Sequence, residues 1–360
     1  MKISVSTRLV IVAVLLVLIV CLQYGLSHSA AFLSGYQRYI FLPLQQARSY
    51  VLDRTDFSIG DWLYLILAIL LLTIIGRMVY FGITFQKNKA AFWVELLRFV
   101  TFPLVLYISF LILWGGNYDR PTLSSAWDVK TMPWKKEQLV ALNQQLLSKL
   151  NDATSHDLSF PKDEQLNREI NSYYQQRFGS CVPQLKVKST SLGYLLNYLG
   201  IQGYYNPFSG EGQFNSTIPA FMHPFVVAHE MAHQTGIAAE DDANLIAYIL
   251  CSESDNKAIS YSANFNLFLY AYSELKMIDR PLATTIFEQL NQQSKKHYEE
   301  LRALNNRYRS RFRKVSNSLY DEYLRLHGQT EGLESYSFVT RWAYYWDTHK
   351  EKGTALNVCP

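Results

Sequence analysis

Three apolar runs before residue 115 constrain this chain more than any other feature of it. Leu9 to Leu22 is unbroken and continues to Leu26; Trp62 to Ile75 is a second run; Phe99 to Trp114, preceded by Leu96-Leu97, is a third. With its flanks, each approaches the ~20 residues that cross the hydrocarbon layer of a bilayer as a helix. Whole-chain composition hides this, because 18% charged and 49% hydrophobic residues would suit an ordinary globular protein. Tyr24, Trp62, Trp93 and Trp114 fall near the run ends, where amphipathic aromatics favour the headgroup region. We therefore expect an α-helical membrane anchor over residues 1–116, with three transmembrane helices near 9–26, 59–80 and 96–114. A separate domain follows over residues 117–360.

The first run competes with a secretory signal, since Lys2 and Arg8 precede it and Ser29, Ala30 and Ala31 follow. Its apolar core is long for a signal and two more runs follow, which favours retention as a span. Lys and Arg in the connecting loops set the orientation. Ser27 to Asp61 carries Arg38, Arg48 and Arg54, whereas the shorter Gly76 to Arg98 carries Arg77, Lys87, Lys89 and Arg98. With Lys2 and Arg8 also inside, everything after Trp114 falls outside the cytoplasm.

In the second domain, His229-Glu230-Met231-Ala232-His233 places two imidazoles four residues apart. On a helix they share a face and can grip one metal ion. A five-residue pattern recurs by chance, so its context matters. Upstream, Pro219 and Pro224 precede the apolar run Phe225 to Ala228; downstream, Gly236 stands where a helix stop is wanted. This predicts a short, mostly buried helix near 223–235. In the zinc-peptidase reading His229 and His233 are ligands, and Glu230 takes a proton from the activated water and passes it on.

A catalytic zinc wants three protein ligands and an open position. Glu240 and Asp242, close behind, are the competing donors; the bland alternative is an acidic first turn stabilised by the helix dipole. The form Glu240-x-x-Ala243-Asn244 resembles the Glu-x-x-Ala-Asp/Asn helix of gluzincin peptidases. That resemblance implies Glu240 as third ligand, with Asp242 as its alternative, and Asn244 as an outer partner orienting a ligating His. A metzincin reading is weaker, because Ala239 occupies the position of its third ligand.

More of the chain resembles an uncharacterised bacterial membrane-protein family with a zinc-peptidase-like domain. The residues that carry the likeness are Trp114-Gly115-Gly116-Asn117-Tyr118, Gly203-Tyr204-Tyr205-Asn206-Pro207-Phe208-Ser209-Gly210-Glu211, Pro219, His229 to Ile237, Glu240 to Asn244 and Ser335-Tyr336. Asp242, where Glu is expected, and Gly212, where Ala is common, depart from the pattern. The resemblance implies a mainly α, α+β zincin-like extracytoplasmic domain carried on the inner membrane of a bacterial cell. Gly203 to Asn215 reads as edge strand and turn, making Tyr204 and Tyr205 candidates for contacting an extended substrate.

The expected activity is hydrolysis of peptide bonds in a peptide or protein substrate, with one Zn2+ as cofactor. A zinc-stabilised binding or envelope-assembly module without turnover is the alternative, and a fortuitous motif in a structural membrane protein is a third reading. Nucleic acid is disfavoured by the net charge of +4 and by the location. The basic run from Lys295 to Lys314 could rest on anionic lipid, but Glu299 and Glu300 interrupt it and no apolar edge is evident, so a solvated helix face is expected. One disulfide among Cys181, Cys251 and Cys359 is possible in an oxidising compartment, with no motif to identify it. His223 is near enough to serve the site, with capping or packing as its plainer role. No feature speaks to oligomeric state.

Overall fold

The computed structural model describes residues 4–122, 134–155, 157–326 and 336–349. Lys2, Ser335 and Cys359, each invoked above, lie outside them. The three apolar runs fall in α1 (Val5–His28), α4 (Ile59–Ile83) and α5 (Lys89–Leu113), three helices long and apolar enough to cross a membrane. Such helices are compatible with a lipid bilayer, since a helix satisfies its backbone polar groups within itself, with Pro103 removing one such bond in α5. Helix α5 packs against both others. Gln23 Nε2 donates to Tyr107 Oη at 2.7 Å and sets the C-terminal halves of α1 and α5 side by side. The Arg77–Glu95 ion pair, 2.7 Å, ties the end of α4 to the start of α5.

The C-termini of α1 and α5 and the N-terminus of α4 therefore share one end of the bundle. The connection from α1 to α4 is helical rather than a loop: α2 (Ala30–Tyr36), a wide turn at Gln37–Phe41 and α3 (Leu42–Leu52) run almost continuously. Its one proline, Pro43, stands in the first turn of α3, where the missing N–H costs nothing.

The second part of the chain is mostly helical around a small sheet. In order come α6 (Lys136–Ala153), α7 (Asp163–Phe178), β1 (Val187–Ser189), α8 (Gly193–Leu199), β2 (Gly203–Asn206), β3 (Glu211–Phe214), α9 (His223–Gln234) and α10 (Glu240–Ser252). Then follow α11 (Lys257–Ile278), α12 (Arg280–Glu288), α13 (Gln292–Arg307), α14 (Arg311–Leu326) and α15 (Tyr336–His349). The strand order is β1-β3-β2, with β1 parallel and β2 antiparallel to β3. Leu139, Leu142, Leu146 and Leu150 form one buried stripe on α6 that packs against α11. Burial of each such leucine stabilises the fold by roughly 1.5–3 kcal/mol. Helices α9 and α10 are buried along almost their whole length between this layer and the sheet.

Buried polar contacts, not apolar packing alone, join the sheet to the helical bundle. Glu211 on β3 accepts from Gly60 N at 2.6 Å, in the first turn of α4, and from the buried Lys188 ammonium at 2.7 Å. Asp61, one residue on, accepts from Ser191 N at 2.8 Å and from the hydroxyls of Thr190 and Tyr204. Arg48 of α3 donates to Pro207 O at 2.9 Å, and Gln45 donates to Gly210 O at 2.8 Å. The sheet is thus seated on the end of the bundle where α4 begins and α5 ends.

Candidate metal centre

Helix α9 begins on Pro224 in its first turn and ends where Gly236 takes φ +90°, a left-handed conformation that favours glycine. Arg120 closes this end by donating to Gly236 O at 3.1 Å, a cation on the carbonyl end of a helix. The segment after α5 is thus a strap over the C-terminus of α9. His229 and His233, one turn apart, project from the same face.

Glu240 is the first residue of α10, and its carboxylate meets both rings. His229 Nε2 lies 3.2 Å from Glu240 Oε2, His233 Nε2 lies 3.6 Å from Oε1, and the two Nε2 atoms are 3.2 Å apart. Two donors held ~2.0–2.1 Å from an ion at tetrahedral angles lie roughly 3.3 Å from each other, so this triangle has the edges that a small four-coordinate cation requires. Among the described residues these are the three acidic or imidazole side chains grouped closely enough to hold a metal ion.

The protonation pattern suits ligation. His233 Nδ1 bonds Ile237 O at 2.7 Å, which fixes its proton there and leaves the Nε2 lone pair facing the centre. Burial lowers the His233 pKa to about 4, with His229 lowering it further and Glu240 opposing. For His229 burial also acts to lower the pKa, but hydrogen bonding and charge from Glu240 outweigh it, and the net shift is upward. Asn244, one turn into α10, also favours the charged form of His229. No bond of standard geometry forms between them: His229 Nδ1 and Asn244 Nδ2 are both buried without a partner.

Glu230 lies buried on the adjoining face of α9, against the sheet. Glycine in the strands makes that approach possible. A Cβ on Gly203 would stand 2.5 Å from Glu230 Oε1, and one on Gly212 would stand 3.1 Å from Glu230 Cβ. Burial raises the Glu230 pKa to about 8; His229 opposes this and Glu240 adds to it. Its Oε2 has no hydrogen-bond partner.

A pocket of about 490 Å³ opens over these groups. It is lined by His229, Glu230, His233 and Glu240, by Gly203 to Tyr205 of β2, by Trp114 at the end of α5, and by Tyr270 of α11. Burial, then the Glu240 charge, raises the Tyr270 pKa to about 12, so its hydroxyl keeps its proton. Sequence reasoning did not find Tyr270, and no signal could have marked it among 25 tyrosines. Trp114 enters the sequence reading as a span-end aromatic and as part of the Trp114 to Tyr118 likeness, not as a site residue; its ring packs 4.3 Å from that of Tyr205 and edge-on to His233 at 6.1 Å.

Of the other residues singled out in the sequence, Asp242 does not join the two histidines; it acts electrostatically on the Arg120 guanidinium. The Tyr204 and Tyr205 hydroxyls are engaged by Asp61 and Gln45, leaving ring and backbone rather than hydroxyl towards the pocket. His223 bonds Ile218 O at 2.9 Å and packs on Phe214, a capping and packing role. Cys181 is disulfide-bonded, whereas Cys251 is a buried free thiol.

Fold and site together define a mostly helical protein with three membrane-capable helices and a His-His-Glu group at one end of the bundle. The chain belongs to the family described as "Protein of unknown function (DUF3810)", whose model matches residues 36–344. No curated protein and no solved structure matches it.

Proposed function

We propose that this protein is a membrane-anchored, zinc-dependent metallopeptidase whose zincin-like domain hydrolyses peptide bonds outside the cytoplasm. The observation that carries the reading is the 3.2, 3.2 and 3.6 Å triangle of His229, His233 and Glu240 donor atoms. Two imidazole nitrogens and one carboxylate oxygen form a set that suits zinc and leaves one position open. The unpartnered Glu230 Oε2, buried beside the centre, gives the same fit, since a structural ion-pair cluster would not leave it so.

The two Nε2 atoms and Glu240 would hold the ion, which when bound supplies Lewis acidity that makes water a nucleophile near neutral pH. Glu230 accepts the proton of the attacking water and returns it to the leaving amine. Tyr270, which lines the pocket and keeps its hydroxyl proton, would donate to the developing oxyanion. Strand β2 is an edge strand along the pocket, and its backbone can pair with an extended peptide. A disulfide-bonded Cys181 favours an oxidising compartment.

Glu230→Gln tests the reading on purified full-length protein. Zinc should remain at one ion per chain while cleavage of a mixed peptide library falls ~10²–10⁴-fold, the usual worth of a general base. Undiminished cleavage, or wild-type protein that takes up no zinc, would overturn it.

A further inference from the structure

Nine large hydrophobic side chains are exposed among the described residues after α5, and seven of them lie on two neighbouring helices. Leu192, Tyr194, Leu195 and Tyr198 project from α8 and the residue before it; Phe312, Val315 and Leu319 project from α14. The spacing of three and four residues puts the second set on one face of its helix. The expectation of an edge-free basic helix is thereby corrected. The chain breaks at Tyr308 to Ser310, so the apolar stripe emerges only when the period is counted afresh from Arg311.

The two helices form one unit. Ser310 Oγ donates to Tyr198 O at 2.8 Å, the rings of Tyr198 and Tyr308 meet edge to face at 5.0 Å, and the Arg313 guanidinium packs over Gly200. On the inner side Leu199 to Gln202, Arg313, Ser316 and Asn317 form one wall of the pocket that holds Glu230.

The position of this unit names its occupant. Thr190 and Ser191, which lead into α8, bond Asp61 in the first turn of α4, and the Tyr64 ring packs at 6.1 Å from Tyr204. The apolar face therefore continues from the end of a membrane-capable helix, at the level where the exposed Trp62 marks the headgroup region. Exposed Arg307, Arg309, Arg311 and Lys314 border it, and apolar side chains rimmed by cations match a layer of anionic headgroups over acyl chains.

We propose that α8 and α14 form a lip seated in the lipid headgroup layer beside α4, so that the adjoining pocket opens along the membrane surface. The lip stands whether or not the site is hydrolytic.

Full-length protein in phosphatidylcholine–phosphatidylglycerol nanodiscs tests this with one environment-sensitive fluorophore per chain, placed by Leu195→Cys or Val315→Cys in a Cys21→Ser background. The unsubstituted background serves as the blank. Val17→Cys, exposed on α1, and Lys257→Cys, exposed on the helical layer, give the lipid and solvent references. Labels at 195 and 315 should be quenched at least threefold more by nitroxide lipids than the label at 257, and shielded from aqueous iodide. Quenching no greater than at 257 overturns the proposal. Shielding from iodide without quenching by lipid nitroxides also overturns it, and would assign the face to a second copy or another protein.

Discussion

Gly203 and Glu230 approach so closely that a methyl group on the glycine would fall 2.5 Å from the carboxylate oxygen. The strand that borders the pocket and the side chain proposed as its base therefore hold each other in place. Gly203→Ala must move Glu230, β2 or both, while the His-His-Glu triangle lies on the adjoining face of α9, away from the added methyl group. Displacing a catalytic group by about 1 Å costs on the order of 10²-fold in rate. Gly203→Ala should lose activity on that scale and keep its zinc; a normal rate at full zinc occupancy would show that Glu230 is not held there for chemistry.

The junction between sheet and bundle rests on a buried ion pair. Lys188 and Glu211 side chains are 1% and 2% exposed and 2.7 Å apart. Glu211 also accepts from Gly60 N, and Lys188 donates to Leu52 O at 2.7 Å and Thr55 Oγ1 at 2.8 Å. Removing one partner of such a pair strands the other, at about 3–5 kcal/mol. Glu211→Gln and Lys188→Met should each destabilise the detergent-solubilised chain by that order in urea unfolding. The double variant should lose much less than the sum, and strict additivity would mean the two charges do not depend on each other.

Local patterns made the helices readable. The membrane-capable helices and α9 with its Gly236 stop follow from hydrophobic runs and turn residues inside one short window. Glu240 was reachable because it stands seven residues past His233, at the start of the next helix. The contacts that Asp61, Lys188 and Glu211 make between bundle and sheet join positions more than 120 residues apart, as with Glu211 and Gly60 at a separation of 151, and no periodicity reports those. The connection from Ser27 to Asp61 reads as a loop because it lies between two apolar runs; the polar residues within it belong to a helix that uses Gln45 and Arg48 to hold the sheet.

Glu240 and Asp242 sit in the same first turn, yet the structure separates their roles. Glu240 completes the triangle, whereas Asp242 offsets the Arg120 guanidinium, which burial lowers to about 10 and which closes the end of α9. Glu240→Gln should abolish stoichiometric zinc. Asp242→Asn should keep zinc within about tenfold in affinity, as outer residues do at most 10–100-fold, while lowering stability by about 1–3 kcal/mol for a buried charge left unmatched. Metal analysis after dialysis, beside thermal unfolding, reads both. Zinc lost from Asp242→Asn and retained by Glu240→Gln would reverse the assignment.

His297 gives the fold a dependence on pH separate from the metal centre. Its ring stacks on Phe221 at 4.2 Å, with Nδ1 2.7 Å from Tyr261 Oη and Nε2 2.8 Å from Gln293 Nε2. Burial, with a smaller contribution from Lys296, holds its pKa at about 4, below the ordinary 6.5. A depressed histidine means that the unfolded chain binds the proton first. Stability is therefore complete above pH 6.5 and falls as pH drops from 6.5 towards 4, by at most about 3 kcal/mol at 1.36 kcal/mol per unit. His297→Gln removes the titration while keeping a hydrogen-bonding side chain. Between pH 7 and pH 4.5 the wild type should lose about 2 kcal/mol more in urea unfolding than this variant. Equal losses in the two proteins would mean that the ring is solvated enough to accept its proton without opening the fold.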